Sequence, residues 1–535
     1  MRSWQILKVT IKKLMKLITI KIRNYKSIKE VVFNLDYNIP EQTYSLIGIN
    51  EAGKSSFLEA ISFFDEKERI IEKKFFHNEN GGVVGDIEVV LEYDNCDEIK
   101  EQVRQNLEEK AIDESIINKI DIKKVIIKRV FKIDNKGVLE IEDIEFADQL
   151  KNCVYDPTTQ KIILKSELTE KSEKELQFDL KKCLLDNFNL LNICYSNTHN
   201  TLFWKSSSKY LIDQPVDLNL FKSNPREVSV PLANCFNIIG VYDNDILLSV
   251  DNILSDSTAR KNFIGRIEEK VTDHIKNIWK EHKISIHFDL NANLITFLVE
   301  DEGVKHDNKT TDQRSDGFRQ FISFLLSVSA ESETGELKNY ILLIDEPEQH
   351  LHPKAAEYLK EDLIKISSKS EDSNVVFFAT HSIFMIDQEV IERNYSVIKK
   401  DNKETRIEKI DGNINTYSSI IFNVFNVYTN DYHNELIGWI QSEKEIFEAN
   451  NFNKYLKLNI KEKKSQYIEI LKNGLEKKHS DIALPLYIRH QIHHPENEKN
   501  DKFTKDELVK SIDELTKLKQ KITADTDKKL SENLI

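Results

Sequence analysis

Apolar residues along the chain follow patterns typical of strands with two different environments. Residues 17–22 alternate apolar and polar side chains, as a strand buried on one face does, and residues 31–35 and 83–93 are predicted to form further strands of the same lobe. Three short runs are almost entirely apolar, which is typical of strands covered on both faces in a parallel sheet. These runs lie at residues 44–47, 340–344 and 374–379. Together these patterns predict an α/β fold with a buried sheet.

Helical patterns fill much of the chain between these strands. Apolar spacings of three to four residues predict helices at residues 56–63, 98–120, 166–189 and 246–283. Two hairpins are expected as well, one from residues 125–133 and 138–146, the other from residues 284–290 and 294–299. No heptad repeat continues across residues 95–245, which argues against a long coiled coil and favours a mainly helical insertion.

The last hundred residues read as a helical bundle. The pattern predicts five helices, at residues 432–441, 443–450, 463–477, 484–494 and 504–521. Thr504, with Glu507 three residues later, is a capping signal for the fifth. We therefore expect four regions: an N-terminal lobe at 15–94, a mainly helical insertion at 95–245, a second lobe at 246–430 and an all-α domain at 431–535.

A glycine-rich segment carries the clearest chemical signal. Residues 48–56 read Gly-Ile-Asn-Glu-Ala-Gly-Lys-Ser-Ser and fit the pattern G-x-x-x-x-G-K-[ST] between an apolar run and an amphipathic helix. In such a loop, backbone N–H groups surround phosphate oxygens, Lys54 adds a positive charge, and the Ser55 hydroxyl can hold Mg²⁺. The expected ligands are a nucleotide, through its phosphates, and Mg²⁺. The residues expected to contact the nucleotide are Gly48, Asn50, Glu51, Ala52, Gly53, Lys54, Ser55 and Ser56.

Polar residues also follow the other two of these apolar runs. Asp345 and Glu346 end the first, and His381 follows the second. The carboxyl ends of parallel strands face the ligand crevice, so these side chains are expected beside the nucleotide. We expect Asp345 to hold Mg²⁺, directly or through a ligand, and Glu346 to act as general base or to polarise the attacking water. A neutral imidazole at His381 can contact the γ-phosphate and that water.

A Ser-Asp-Gly turn at residues 315–317 leads straight into an apolar helix. The Ser315 hydroxyl and the free N–H groups near Gly317 lie at the positive end of that helix, which suits a γ-phosphate arriving from outside. A plain helix cap is the alternative interpretation.

Several of these segments resemble one family of ATPases. Residues 24–28 (Asn-Tyr-Lys-Ser-Ile), the phosphate loop, residues 314–318 and the Glu-Pro-Glu-Gln-His-Leu-His-Pro segment from Glu346 are similar, in this order, to motifs of ABC-type ATPases of the RecF, SMC and OLD kind. The resemblance implies that Ser315 and Gly317 form the signature motif and that His381 is the switch histidine. It also implies that two copies close over ATP, because the signature motif completes the pocket of another subunit.

Composition limits the location and the partners. The net charge is −14, which argues against a protein that coats nucleic acid, although DNA or RNA stays a candidate ligand. Five scattered cysteines without C-x-x-C spacing favour a reduced, cytoplasmic setting. No apolar run reaches the length that a bilayer requires, so no membrane contact is expected. The first 14 residues are interrupted by lysines and read as an extension or a misassigned start rather than a signal peptide.

The C-terminal region lacks the signals of common nuclease domains but carries another motif. Its only D-x-D lies in a Lys-rich tail without a preceding strand, which argues against a Toprim domain; HNH and zinc-ribbon signatures are missing too. Arg489 and His494, spaced R-x-x-x-x-H, resemble the HEPN motif of small helical ribonucleases. That resemblance implies a metal-independent cut in which His494 moves a proton and Arg489 binds the phosphate. A plain helix end, or metal binding by His490, His493 and His494, are the alternatives.

These observations lead to one main hypothesis and two rivals. The main one is an ATP-binding and hydrolysing sensor of a bacterial antiphage system, in which ATP-dependent assembly of a homodimer or higher oligomer controls a C-terminal HEPN-like ribonuclease. The first rival is an ATPase scaffold that recruits a separate nuclease protein. The second is a DNA-repair ATPase of the RecF kind.

Overall fold

The computed structural model describes two compact units, Met1–Ile410 and Asp411–Ile535. The described residues are 15–532 except 65–71, 80–81, 95, 110–121, 123, 135–136, 147–152, 157–160, 165–192, 195–196, 208, 213–214, 279–283, 302–308, 311–318, 320–321, 325, 328–337, 369–373, 401–403, 413, 415 and 472. The predicted helix at 166–189 and the turn with Ser315 and Gly317 lie outside them.

A six-stranded sheet forms the centre of the first unit. Its order is β11-β16-β17-β3-β18-β19, and all neighbours are parallel except the last pair. Every residue of β3 and β17 is buried, as their apolar sequences predicted. The strands are β3 (Thr43–Ile47), β11 (Asn200–Lys205), β16 (Tyr340–Asp345), β17 (Val375–Thr380), β18 (Asn394–Lys400) and β19 (Glu404–Lys409).

A five-stranded antiparallel sheet covers one face of this central sheet. Its order is β2-β1-β6-β7-β8. Residues of β6 alternate between buried and half-buried positions, so the strand predicted at residues 83–93 is present over most of that range. The strands are β1 (Lys16–Tyr25), β2 (Ile28–Asn34), β6 (Ile87–Asp94), β7 (Val125–Asp134) and β8 (Gly137–Phe146); short pairs are β4 (Asn78–Glu79) with β5 (Gly82–Val83), and β9 (Cys153–Asp156) with β10 (Lys161–Leu164).

The opposite face of the central sheet belongs to a second core. Leu342, Ile344 and Phe378 point into it, whereas Leu343 and Phe377 point into the core shared with the antiparallel sheet. Because successive side chains of a strand point to opposite faces, β16 and β17 each contribute side chains to both cores. The small sheet of this side contains β12 (Val216–Asp217), β13 (Ile284–Asn291), β14 (Leu294–Asp301) and β15 (Lys309–Thr310).

Helices of the first unit pack against these sheets. The predicted helix at residues 246–283 is two helices, because Asp256 leaves the helical conformation and its carboxylate accepts the N–H groups of Thr258 (2.6 Å) and Ala259 (3.0 Å) at the start of the second. The helices are α1 (Lys54–Ile61), α2 (Asp97–Glu109), α3 (Leu218–Phe221), α4 (Pro225–Val228), α5 (Val230–Ile238), α6 (Ile246–Ser255), α7 (Ser257–Ile278) and α8 (Pro353–Ser368). The predicted α/β class is confirmed. The described residues within 95–245, predicted as a mainly helical insertion, also contain strands, because β7 and β8 extend the antiparallel sheet and β11 belongs to the central sheet.

The second unit is helical with one β-hairpin. Its elements are α9 (Tyr417–Phe425), α10 (Asn430–Lys444), α11 (Ala449–Asn459), β20 (Lys463–Ile470), β21 (Glu476–Ala483), α12 (Leu484–His493) and α13 (Lys505–Glu532). The helix predicted at residues 463–477 is therefore wrong. Gly474 has a φ of +81°, and the Leu475 N–H is accepted by the Asn473 side chain, so a turn rather than a helix forms here. The all-α interpretation of this region is corrected accordingly.

The described helices do not have the character of membrane spans. Within the described ranges, no helix combines the length and the hydropathy needed to cross a bilayer. The 28-residue α13, for example, is rich in Lys and Glu. Three of the cysteines, Cys96, Cys194 and Cys235, are buried thiols.

A buried histidine in the second unit gives a testable pH dependence. His433 on α10 is fully buried, and its Nε2 lies 2.9 Å from Ser511 Oγ. Burial lowers the pKa of His433 to about 3, so at mildly acidic pH the unfolded chain binds a proton that the folded unit does not. Between about pH 7 and pH 5, we expect this residue alone to reduce the free energy of unfolding by about 2 kcal/mol.

Amide hydrogen exchange of α10 in the full chain measures this change. The variant His433→Gln should show a shallower loss of protection as the pH falls, because glutamine does not titrate. The exposed His493→Gln serves as the control and should follow the wild type. An identical pH dependence in wild type and His433→Gln would contradict the assignment.

Candidate nucleotide-hydrolysis site

The phosphate loop lies between the buried strand β3 and helix α1. Gly53 has a φ of +110°, a conformation that favours glycine, and α1 begins at the next residue with its N-terminus toward the loop. The Lys54 ammonium is buried and donates to the carbonyl oxygens of Gly48 (2.8 Å) and Ile49 (3.1 Å). Burial lowers the pKa of Lys54, so an anion placed in the loop would relieve the cost of burying this charge.

Residues distant in sequence support this loop from behind. A Cβ atom on Gly53 would lie 2.1 Å from Thr405 Oγ1, so the Thr405 side chain on β19 fills the space that the glycine leaves. The Thr405 hydroxyl donates to the Ala52 carbonyl (2.9 Å) and accepts from the Ser27 hydroxyl (2.8 Å), while its N–H donates to the Ser27 carbonyl (3.0 Å). The turn after β1 and the phosphate loop are thus held together through one threonine.

Asp345 and Ser55 form an oxygen pair at the end of the loop. The Ser55 hydroxyl donates to Asp345 Oδ1 at 3.0 Å. Burial raises the pKa of Asp345 to about 6, against the lowering effect of that hydrogen bond, and the nearby Glu346 charge raises it further. A hydroxyl beside a carboxylate suits Mg²⁺, which takes one or two protein oxygens and completes its shell with phosphate and water. The two residues therefore fit the predicted ion.

Glu346 and His381 meet at the carboxyl ends of β16 and β17. The Glu346 N–H donates to the Ala379 carbonyl (3.0 Å), and Glu346 Oε1 lies 3.4 Å from His381 Nδ1. Glu346 adopts a φ of +52°, an uncommon conformation for a residue with a side chain, which turns the chain sharply after the strand. A carboxylate in this position can accept a proton from water, and the imidazole beside it can donate or accept a hydrogen bond.

One cavity of about 410 Å³ lies against most of these groups. It is lined by phosphate-loop residues Asn50, Glu51, Gly53, Lys54, Ser55 and Ser56, by Glu346, and by Lys26, Ser27 and Lys399. The sequence analysis did not identify Lys399 or Thr405 as site residues. A lysine or threonine on a strand after the last motif has no distinctive spacing, so no signal in the sequence marks either of them.

The C-terminal motif residues lie in the other unit. The half-buried Arg489 donates to the Gln441 side-chain oxygen, and burial lowers its pKa below the usual value. His494 follows the last residue of α12, is exposed, and has its Nδ1 3.3 Å from Glu496 Oε1. His490 instead stacks on Tyr467, with ring centroids 4.9 Å apart, and burial lowers its pKa to about 4.

Comparisons with known proteins agree with the nucleotide site. Residues 15–386 match the family described as AAA ATPase domain. A segment of 115 residues is 28% identical to the Old nuclease of Escherichia phage P2, covering 21% of this chain and 19% of that protein. The chain thus spans about a fifth of the length of this curated relative.

Two solved structures with low sequence identity are also similar. The SmcHead bound to the C-winged helix domain of ScpA is 14% identical, with a TM-score of 0.39 over 74% of this chain and 98% of that chain. The recombination mediator protein RecF of the RecFOR pathway is 12% identical, with a TM-score of 0.36 over 75% of this chain and 99% of that chain.

The contacts of Thr405 predict a measurable effect on ATP binding. Thr405→Val keeps the side-chain shape but removes both hydroxyl hydrogen bonds, so the loop loses its link to Ser27. We expect ATP to bind about tenfold more weakly, as the loss of one or two buried hydrogen bonds implies. Calorimetric titration of ATP into the wild type and the variant measures the change.

Thr405→Ser is the matched control for this variant. Serine keeps the hydroxyl, and its ATP affinity should stay close to that of the wild type. Equal affinities for all three proteins would mean that the contact behind the loop does not affect the nucleotide.

Proposed function

Because the chain belongs to the AAA ATPase domain family, we propose that it is an ATP-hydrolysing switch that acts as a pair of copies. The single observation that carries this proposal is the grouping of Lys54, Ser55, Asp345, Glu346 and His381 at the carboxyl ends of three adjacent strands. Such a grouping offers a phosphate site, an ion site and a base side by side.

Each residue has a distinct part in the proposed reaction. Lys54 and the loop N–H groups would bind the β- and γ-phosphates. Ser55 and Asp345 would hold Mg²⁺, which would supply positive charge to the phosphates. Glu346 accepts the proton of the attacking water. His381, whose Nδ1 lies 3.4 Å from Glu346 Oε1, orients that carboxylate and hydrogen-bonds the γ-phosphate.

A second copy of the chain would complete the pocket. Ser315 and Gly317 are expected to reach the γ-phosphate of the other copy, so ATP would hold two heads together and hydrolysis would release them. In that arrangement the interface is isologous, and each of its two pockets takes its loop from one copy and its Ser315 from the other.

Mixing two inactive variants tests this shared pocket. Lys54→Ala removes the loop charge, and Ser315→Arg blocks the signature motif, so neither protein should hydrolyse ATP alone. In a pair made of one copy of each, one pocket has both an intact loop and an intact Ser315. An equal mixture should therefore recover roughly a quarter of the wild-type turnover, because half of the pairs are mixed and each has one working pocket.

The result of this mixing separates the two arrangements. A pocket shared between copies would be contradicted if either variant alone hydrolysed ATP at the wild-type rate. It would also be contradicted if mixing restored no turnover although sedimentation shows mixed pairs. Wild type mixed with an excess of Lys54→Ala gives the matched control for assembly.

The output of the switch is assigned to the second unit. We propose a sensor of a bacterial antiphage system in which paired heads bring two C-terminal units together to cut RNA. Arg489 in the second half of α12 and His494 directly after it support this assignment, since a guanidinium can bind a phosphate and the exposed imidazole can move a proton. The cut would use the RNA 2′-OH and no metal.

Recruitment of a separate nuclease is the second candidate for the output. The hairpin β20–β21 favours it, because this element departs from a purely helical bundle and exposes apolar side chains at its tip: Ile470, Leu471 and Leu475.

A DNA-repair ATPase of the RecF kind would bind duplex DNA with a strong dependence on salt.

RNA cleavage by the purified chain distinguishes these outputs. Wild type with ATP should cut RNA, whereas Arg489→Ala and His494→Ala should reduce cleavage at least about a hundredfold, as loss of an acid–base or phosphate-binding group does. The neighbouring, exposed His493→Ala is the matched control and should cut like the wild type. Equal cleavage by all four proteins, or none by the wild type, would exclude this ribonuclease site.

A further inference from the structure

A buried carboxyl group lies directly behind the proposed reacting pair. Glu348, two residues after Glu346, is 6% exposed, and its Oε1 accepts a hydrogen bond from Thr380 Oγ1 at 2.5 Å. Its other oxygen, Oε2, is buried with no hydrogen-bond partner within the described part of the chain. Burial raises the pKa of this carboxyl, with the Glu346 charge adding to the shift. Desolvation of this kind makes a carboxyl group harder to ionise than one exposed to water.

Thr380 connects Glu348 to the backbone around His381 through hydrogen bonds of its hydroxyl group. It is the last residue of β17 and is fully buried. Its hydroxyl donates to Glu348 and also accepts the Ser382 N–H at 2.9 Å, so it spans the residue between them. The Ser382 hydroxyl in turn accepts the Phe384 N–H at 3.3 Å, which fixes the turn that follows. His381 is thus enclosed by a chain of hydrogen bonds that begins at Glu348.

The segments that follow β16 and β17 are therefore connected by two contacts, one beside the cavity and one in the interior. At the front, Glu346 meets His381, whose side chain is about half exposed. At the back, Glu348 meets Thr380, and both are buried. An exposed side chain beside a cavity has several rotamers available, whereas the buried contact admits few. The buried contact is thus the one that can fix the distance between the segments carrying Glu346 and His381.

We propose that Glu348 is a positioning residue of the hydrolysis site, which holds His381 against Glu346 through the Thr380 hydroxyl. This inference rests on the proposed hydrolysis by Glu346 and His381. Glu348 is not assigned as a second base, because its Oε2 is buried and its Oε1 accepts the hydrogen bond from Thr380. A displacement of about 1 Å in a reacting group can cost a hundredfold in rate, so a contact of this kind matters for turnover.

Four variants test the contact from both sides. Glu348→Ala and Thr380→Val each break it, and we expect kcat to fall at least about tenfold while KM for ATP stays within about twofold, since the loop that binds ATP is untouched. Glu348→Gln keeps an uncharged acceptor for Thr380, and Thr380→Ser keeps the hydroxyl. These two conservative variants should retain kcat within about threefold of the wild type.

The same change in a His381→Ala background separates positioning from general damage. If Glu348 acts through His381, Glu348→Ala should lower kcat in the wild type but cause little further loss once His381 is absent. A further loss of equal size in both backgrounds would overturn the inference, as would wild-type kcat in Glu348→Ala. A kcat of Glu348→Gln as low as that of Glu348→Ala would also overturn it, because an uncharged acceptor for the Thr380 hydroxyl would then not be enough to position His381.

Failure of the inference can be told from failure of the proposed function. If His381→Ala alone turns over ATP at the wild-type rate, the proposed role of His381 is wrong and the inference falls with it. If His381→Ala is slow but Glu348→Ala is not, only the positioning role is wrong.

Discussion

The parallel pairing of β16, β17 and β3 is the constraint on which the site depends. Asp345 is paired with Ala379, and Thr380 with Ile47, so the three strands end almost level with one another. Each strand is followed at once by a different chemical group: the phosphate loop, the two acids and the histidine. A shift of one strand by a single residue would turn its side chains to the opposite faces and separate these groups. The two cores on either side of the sheet prevent such a shift.

The electrostatics of the site follow from packing charged groups into this sheet edge. Burial lowers the pKa of Lys54 and raises the pKa values of Asp345 and Glu348. These groups are therefore held in an environment that disfavours their charged forms, and Mg²⁺ with a phosphate chain would supply the missing counter-charges. The left-handed backbone at Glu346 adds local strain. Unfavourable features of this kind gather at functional sites, where the surrounding structure stabilises them.

The sequence predicted the parts of this arrangement that depend on local patterns. The phosphate loop, the acids after β16 and the histidine after β17 each follow a buried strand directly, so an apolar run and its next few residues are enough to find them. Thr405 behind the loop and Thr380 behind Glu348 could not be predicted, because their roles depend on contacts with segments far away in the chain. The pattern at residues 463–477 predicts a helix because its spaced apolar residues and lysines also fit a helical face, whereas the chain forms the hairpin β20–β21 with its turn at Gly474. Arg489 and His494 remain a prediction from spacing alone.

The most direct test of the account measures ATP turnover and ATP retention in Glu346→Gln. The amide keeps the size of the side chain and a hydrogen bond to His381 but cannot accept the proton of water. With Mg²⁺ present, the variant should bind ATP as tightly as the wild type, hydrolyse it at least about a hundredfold more slowly, and retain unhydrolysed ATP after gel filtration. Wild-type turnover by Glu346→Gln would contradict the account, because hydrolysis would then not depend on the carboxylate at the end of β16.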